Sequence, residues 1–306
     1  MRRALRLFCY APITLCTAPA HAWGDDGHKV IGLIAYHFLS PEAKSKVDDL
    51  LSGPALPGHP DDKADVPSNI ADRATWADKY RDSDRGPGEA HIRYSQTHNW
   101  HFVDMELDQP DLDAACHEHP APSADPMTGD PNNCVVDKIK QFIGVLKDAQ
   151  ASRESKTVAL EFLLHFVGDV HQPLHAADRH DRGGNQVKVR YSYQQGQKRR
   201  SRTTNLHSYW DSVTVGRLGS SPESIANMVI SDVPAVPTGV WQDTAPEAWA
   251  RSSFDVAQRV AYNLPASSSG TVTLTSGYAT RATGAARKQL ALAGYRLANL
   301  LNGSLQ

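Results

Sequence analysis

The most constraining stretch of the chain runs from Glu161 to His175, Glu-Phe-Leu-Leu-His-Phe-Val-Gly-Asp-Val-His-Gln-Pro-Leu-His. It sets His165, Asp169, His171 and His175 among Phe, Leu and Val. Apolar residues fall nearly all round a helical projection, which marks a helix buried on every side. On such a helix His165 and Asp169, four residues apart, share one face. An imidazole and a carboxylate buried together are costly unless something compensates them. A hydrogen bond between the two is the simplest compensation. A metal ion is the strongest, because it takes carboxylate oxygen and neutral imidazole nitrogen directly. Pro173 then stops the helix and carries His175 onto the following loop.

The rest of the chain is ordinary in bulk. Its 306 residues are 40% hydrophobic and 22% charged, enough for one large domain or two small ones. A formal charge of −2 gives no global basic field to draw nucleic acid. Fourteen histidines are many for this length and suit metal chemistry without proving it.

The amino terminus reads as a secretory signal. Arg2, Arg3 and Arg6 precede a mostly apolar run from Leu7 to Cys16, and Ala20-His21-Ala22 has the A-x-A form of a cleavage site. The run is too short to span a bilayer. Residues 1–22 are therefore expected to be removed, leaving Trp23 first and one domain over 23–306. Loss of the three arginines takes the formal charge from −2 to −5. Cys9 and Cys16 leave with the signal, while Cys116 and Cys134 flank a polar, Pro-rich loop. In an oxidising compartment these two are expected to pair, stabilising the fold by ~3 kcal/mol. Two unpaired thiols are the alternative. A cysteine zinc site is weaker, since no CxxC spacing is present.

Helical spacing recurs along the chain. Val30 to Phe38 makes one apolar helix, and Ser40-Pro41-Glu42 opens a second with a good cap. A helix is predicted from about Asn69 to Arg81, followed by a loop. Residues 107–133 read as loop, with Asn133 capping a helix through Val135, Ile139, Phe142 and Leu146. Val187, Val189, Tyr191 and Tyr193 alternate as in one strand of a hairpin. Ser221-Pro222-Glu223 and Pro246-Glu247 start further helices, the latter running to Tyr262. Pro265 to Thr283 reads as a connection before a terminal helix over Ala285–Asn302. The fold class is all-α, a single mostly helical domain with one small β-hairpin.

Several strings together resemble the single-strand-specific nucleases of the S1/P1 type. They are Trp-Gly-x-x-Gly-His at 23–28, Trp-Ala-Asp at 76–78, His-Phe-Val-Asp at 101–104 and His165 to His175. Gly-Gly-Asn at 183–185 and Asn-Leu-His-Ser-Tyr-Trp-Asp at 205–211 complete the set. They come in the family's order with similar spacing, and the final helix is similar too, so the resemblance spans nearly the whole mature chain. It implies a helical domain of the phospholipase C/P1 nuclease type binding three Zn2+ at the bottom of a cleft. One ion would take Asp78, His101, His165 and Asp169, and a second His175, His207 and Asp211. The third would take His28, Asp169 and Trp23, the last through its amine and carbonyl, so that Asp169 bridges two ions.

The chemistry suits those residue types. Phosphodiester hydrolysis needs a nucleophile at neutral pH and screening of an anion, and zinc brings bound water to a pKa of about 7. Other divalent metals also accept nitrogen and oxygen donors. The resemblance makes Phe102 and Asp104 a base-binding pair, places Asn185 near the substrate, and sets Arg81 beside the phosphate, with Asp78, Asp169 and Arg81 as the catalytic group. Read alone, Phe102 is a core residue, Asn185 a turn residue and Arg81 a cation at a helix C-terminus. His171 is expected to pack or to support a ligand. His37, His59, His91, His98, His117, His119 and His180 read as surface or satisfied polar residues. Tyr191 and Tyr193 are a second stacking site or, more simply, hairpin residues.

The resemblance implies a secreted or periplasmic monomeric endonuclease acting on single-stranded DNA and RNA, without protein partner or membrane. It would leave 5′-phosphates and take 3′-nucleotides as further substrates. A zinc-dependent phospholipase C, similar at an N-terminal Trp, a His-x3-Asp helix and a Gln-Pro-x-His turn, is the first alternative. A non-catalytic secreted zinc-binding protein is the second.

Overall fold

The computed structural model describes residues 23–54, 66–123, 125, 127–232, 245–267 and 270–306. The expected signal at 1–22 and residues 55–65, His59 among them, lie outside the described residues. The helices are α1 (Asp25–Phe38), α2 (Pro41–Leu51), α3 (Ile70–Arg73), α4 (Trp76–Asp82), α5 (Ile92–Thr97) and α6 (Leu112–Ala115). They continue with α7 (Val135–Lys147), α8 (Arg153–Val170), α9 (Leu206–Ser208), α10 (Pro222–Ser231), α11 (Pro246–Val256) and α12 (Ser276–Ser304). None of the described helices is long and apolar enough to cross a membrane.

Helix α8 carries the constraining stretch and forms the centre. Every residue from Thr157 to Val170 is buried. Helices α1, α2, α4, α7 and α12 pack around it. Phe162 stacks on Phe142 of α7 at 4.8 Å and meets Trp76 of α4 edge-on at 5.0 Å. Glu161 is also fully buried, and Arg73 offsets it with an Nη1–Oε1 contact of 2.5 Å. The same guanidinium reaches the Gly53 carbonyl. A buried carboxylate so bonded keeps its charge without an unsatisfied oxygen on that side.

The expected helix over Asn69–Arg81 is two helices broken at Ala74–Thr75. Thr75 Oγ1 donates back to the Asp72 carbonyl at 2.7 Å, and the Ala74 carbonyl faces His165 Nδ1 at 2.8 Å. That carbonyl serves the histidine. The loop after Arg81 contains α5, and the region 107–133 holds one helical turn, α6, capped by Asp111. Cys134 rather than Asn133 caps α7. The Asn133 amide turns away to donate to the Pro120 carbonyl at 2.9 Å. Cys116 and Cys134 form the expected disulfide.

The hairpin is larger than its apolar alternation suggests. After two short strands, β1 (Met105–Glu106) and β2 (Ala177–Asp178), β3 (Lys188–Gln195) pairs antiparallel with β4 (Lys198–Asn205), an entirely polar strand. Gly196, at φ +61, takes the first place of the two-residue turn, where that conformation suits glycine. A third strand, Thr271–Thr273, runs parallel to residues 188–190 of β3. It falls within the expected connection, from which α12 also begins, nine residues before Ala285, with Thr275 as its cap. Met105–Glu106 and Ala177–Asp178 make one further short parallel pair. Helix α11 ends at Val256, and a wider turn continues it to Ala261.

Lys138 of α7 is fully buried, its Nζ 3.5 Å from the centre of the Trp100 ring and 4.8 Å from that of Phe142. Burial pushes its ammonium down to about 7. The unfolded lysine keeps its proton to about pH 10.4, so between these values the unfolded chain binds more protons. Stability therefore rises with pH across that window, by up to about 1.4 kcal/mol per unit. Chemical denaturation between pH 7 and 9 should give this slope in the native chain and a flatter one in Lys138→Met.

Candidate metal centre

Helix α8 positions two donors of a buried cluster, and five other segments supply the rest. His165 and Asp169 project from one face of α8, Asp78 comes from the first turn of α4, and His101 from the single 3-10 turn His98–His101. His175 ends the turn Pro173–His175, and His28 lies in the first turns of α1. His207 and Asp211 lie on α9 and its wide-turn continuation Tyr209–Thr214. All eight residues are at most 5% exposed.

They form three groups: Asp78 with His101 and His165, His28 with His165 and Asp169, and His175 with His207 and Asp211. His101 Nδ1 lies 3.0 Å from Asp169 Oδ2 and 3.5 Å from Asp78 Oδ1. His165 Nε2 lies 3.3 Å and 3.5 Å from the same two oxygens. A tetrahedral ion with bonds of about 2.0–2.1 Å needs donors about 3.4 Å apart, and these four separations suit it. Asp169 Oδ1 points elsewhere, 3.6 Å from both His28 Nε2 and His175 Nδ1. In the third group the two Nε2 atoms of His175 and His207 are 3.1 Å apart, and Asp211 Oδ2 is 3.7 Å from that of His207.

The main chain aims the rings. Nδ1 of His165, His175 and His207 bonds the carbonyls of Ala74, His101 and Gly183 at 2.8, 2.8 and 2.7 Å. An Nδ1–H donated outward fixes the tautomer that leaves Nε2 as the metal-binding lone pair. Burial lowers His28, His101 and His175 well below the ordinary range, and His207 to about 4. For His165 burial also lowers, but the Asp169 and Asp78 carboxylates outweigh it and the net direction is up. Burial raises Asp169 and Asp211 strongly. Both ring nitrogens of His28, Nε2 of His165 and Oδ1 of Asp169 are buried without hydrogen-bond partners. Donors so placed are costly alone and suited to divalent cations.

Close approach at the cluster depends on two glycines. A Cβ at Gly168 would meet His28 Nδ1 at 2.7 Å, so glycine lets that ring lie flat on α8, stacked on His165 at 3.8 Å. Gly183, at φ +58, would push a Cβ to 2.4 Å from the Leu174 carbonyl. Trp23 is wholly buried, and the Gly24 N–H donates to the Asp211 carbonyl at 3.1 Å. The Trp23 main chain is thereby held beside the cluster.

Comparison with known proteins matches this arrangement to one family. The S1/P1 Nuclease family model matches residues 23–306. The chain belongs to the S1/P1 nuclease family. Nuclease PA3 of Penicillium sp is 27% identical over 297 residues, which are 92% of this chain and 97% of that protein. Nuclease P1 of Penicillium citrinum is 28% identical over 69% of this chain and 67% of its own. For Nuclease S1 of Aspergillus oryzae the identity is 28% over 67% and 59%. As an S1/P1 nuclease the protein is a phosphodiesterase hydrolase.

The cluster opens onto a cavity of about 420 Å³ lined by His101, His175 and His207, and also by Phe102, Asp104 and Asn185. Phe102 is half-buried and meets His98 edge-on at 5.4 Å. Asp104, half-buried, is raised well above the carboxylate range by burial and by Asp178, Glu106 and Asp181. Asn185 Nδ2 donates to the Arg182 carbonyl at 2.8 Å. Arg81 also lines the cavity, with Nη1 2.7 Å from Asp78 Oδ1 and two further contacts to Asp82. His171 points away, its Nδ1 on the Val167 carbonyl and its Nε2 beside Arg296 at 2.7 Å. It packs and does not support a donor of the cluster. Of the histidines expected to be bland, His98 lines the cavity and burial drives it down to about 4.

Sequence reasoning missed Gln172. Its buried amide donates to Asp211 Oδ1 at 2.8 Å and accepts from the Leu174 N–H at 2.6 Å. The Gln-Pro string at 172–173 was its only signal. Orienting partners of this kind commonly carry 10- to 100-fold in metal affinity. Gln172→Met should therefore weaken divalent-metal binding about 10- to 100-fold in chelator competition, with folding by circular dichroism unchanged.

Proposed function

We propose that this protein is a secreted, zinc-dependent endonuclease that hydrolyses single-stranded DNA and RNA to 5′-phosphate products and removes 3′-phosphates from nucleotides. One observation carries the reading. The two oxygens of Asp169 face different donors, Oδ2 toward His101 and His165, Oδ1 toward His28 Nε2. A carboxylate so shared supports a cluster of ions rather than one.

The proposed holders are Asp78, His101, His165 and Asp169 for one zinc, and His175, His207 and Asp211 for a second. His28, Asp169 and the Trp23 amine and carbonyl would hold the third. When bound, zinc would supply Lewis acidity, bringing the pKa of water near 7 and screening the phosphate charge. The side chains do the rest. Arg81, held by Asp82 and buried, presents a fixed cation to the phosphate. Phe102 offers a ring face to one base, a contact worth ~1–3 kcal/mol and blind to sequence. Asp104 meets the edge of that base, accepting a hydrogen bond when ionised and donating one when protonated. Stacking of this kind needs an unpaired base, which supports a preference for single strands. Asn185 adds a polar contact from the lining of the same cavity.

Cleavage after Ala22 belongs to the proposal, because only then does Trp23 carry an α-amine. The Cys116–Cys134 disulfide suits an oxidising compartment. A protein retaining one extra residue before Trp23 should bind less zinc by elemental analysis and lose most activity. Equal activity at full zinc loading would refute that coupling.

Assays of one purified sample on single-stranded DNA, RNA, a 3′-nucleotide and phosphatidylcholine, with and without chelator, test the whole reading. Chelator-sensitive cleavage of the first three is expected. Cleavage of the lipid alone, or none with zinc bound, would replace it with a phospholipase C or a non-catalytic zinc protein. Asp169→Ala should lower nuclease activity by more than about 100-fold, beyond the effect of orienting residues, and reduce zinc per chain.

A further inference from the structure

Three arginines line the cavity at the metal centre, and they are not alike. Arg81 is committed to Asp78 and Asp82. Arg85 reaches Asp82 at 3.3 Å and lies over the Tyr94 ring, its guanidinium carbon 4.3 Å from the ring centre. Arg182 is exposed, and its guanidinium makes no hydrogen bond or ion pair with any described residue.

The loop that carries Arg182 is tightly tied down. Asp178 Oδ1 accepts from the N–H groups of Arg179, Asp181 and Gly183 at 2.8, 3.0 and 2.9 Å. Asp181 Oδ1 accepts from the Gly184 N–H and the Tyr262 hydroxyl, both at 2.7 Å. The Gly183 carbonyl holds the His207 ring, so the loop is registered against the metal donors. Arg182 itself stands at φ +59, a left-handed conformation that an arginine adopts only at a cost. Residues held this way by their surroundings cluster at ligand-binding sites.

A purely structural duty does not account for the side chain. Arg179, not Arg182, lies beside the loop's own carboxylates, its Nε 3.7 Å from Asp181 Oδ2. The charge of Arg182 acts instead inside the cavity. Burial is the main cause that strips His98 of its proton, and Arg81, Arg182 and Arg85 act in the same direction. At Asp104, Arg182 opposes the upward pull of burial and the neighbouring carboxylates. His98 and Asp104 stand on either side of Phe102 in the sequence, and all three line the cavity. An unpaired guanidinium fork beside a platform for a base suits a phosphate.

The chemistry proposed above says which phosphate. Cleavage that leaves 5′-phosphates and removal of 3′-phosphates both release O3′. The nucleoside carrying O3′ is the part those substrates share, so the base on Phe102 belongs to it. With O3′ at the metal centre, the O5′ end of that sugar is directed away from the donors and toward the exposed rim, where Arg182 lies.

We propose that Arg182 is a specificity-determining residue that binds the 5′-phosphate of the nucleotide whose O3′ bond is cut. The inference rests on the nuclease reading above. It adds a preferred substrate class, strands and nucleotides with a phosphate on both sides of that nucleoside. Interior positions of a strand always meet this condition. A 5′-terminal nucleoside meets it only when phosphorylated, and each 5′-phosphate fragment that the enzyme releases has gained it.

The test assays zinc-loaded native protein, Arg182→Gln, Arg182→Lys and Arg85→Gln on two pairs of substrates at equal zinc per chain. The pairs are thymidine 3′-phosphate with thymidine 3′,5′-bisphosphate, and a thymidine dinucleotide with its 5′-phosphorylated form. The readout is the ratio of kcat/KM within each pair, which a general loss of activity leaves in place. Native protein should favour the 5′-phosphorylated member about tenfold, the low end for a charge-assisted hydrogen bond. The preference should lie in KM, because the 5′-phosphate takes no part in bond breaking, and should shrink as salt is raised. Arg182→Gln should abolish it, Arg182→Lys should keep part of it, and Arg85→Gln should keep most of it. A counter-ion role toward Asp104 would change both members of a pair alike and leave the native ratio in Arg182→Gln. That result, no preference in the native protein, or its loss in Arg85→Gln alone would overturn the assignment and leave the nuclease reading intact. A native protein that turns over none of the four substrates would overturn the nuclease reading, and this inference with it.

Discussion

The structure depends on one buried charge. Asp169 sits in the last turn of a helix buried on every side, among Phe, Leu and Val. Water cannot stabilise its charge there, and burial pushes its proton affinity up. The surrounding architecture answers that cost. Four histidines from α1, α8 and two short turns bring ring nitrogens within 3.0–3.6 Å of its oxygens. Alone, such neutral rings and acids are an unstable grouping. With divalent cations the same grouping would become cohesive. Folding and metal loading would in that sense be one equilibrium.

A second layer makes the cluster possible. Three of the rings are fixed by main-chain carbonyls, and those carbonyls come from places where regular structure is broken. Ala74 lies in the gap between α3 and α4, His101 ends a 3-10 turn, and Gly183 sits in a left-handed turn. A carbonyl inside a continuous helix is already committed to the amide four residues on. The interruptions therefore supply acceptors that unbroken helices would withhold.

Much of this was legible in the sequence, for a physical reason. His165 and Asp169 stand out because polar ligands interrupt an otherwise apolar helix, and caps such as Ser40 and Ser221 are local signals. What was illegible depends on partners far along the chain. Nothing near residues 69–81 tells that His165 will claim the Ala74 carbonyl. Strand β4 carries no apolar alternation, because both its faces are largely solvated, so only its partner β3 could be read. The start of α12 was obscured by Thr and Gly, although Tyr278 and Ala282 are buried at helical spacing. Gln172 looked like a neighbour of a proline, and its role emerges only with Asp211 in place.

The depth of Trp23 has a consequence for the cell that makes the enzyme. The residue has no exposed surface, and Gly27 would have no room for a side chain against it. On the proposed function Trp23 becomes the amino end, and one seated so deeply would tolerate nothing in front of it if it is also to reach an ion. On the proposed function, ribosomes would release a catalyst with an unfinished centre, harmless to the messages it was translated from. Maturation outside the cytoplasm would then act as a safety catch, and self-protection would need no dedicated inhibitor.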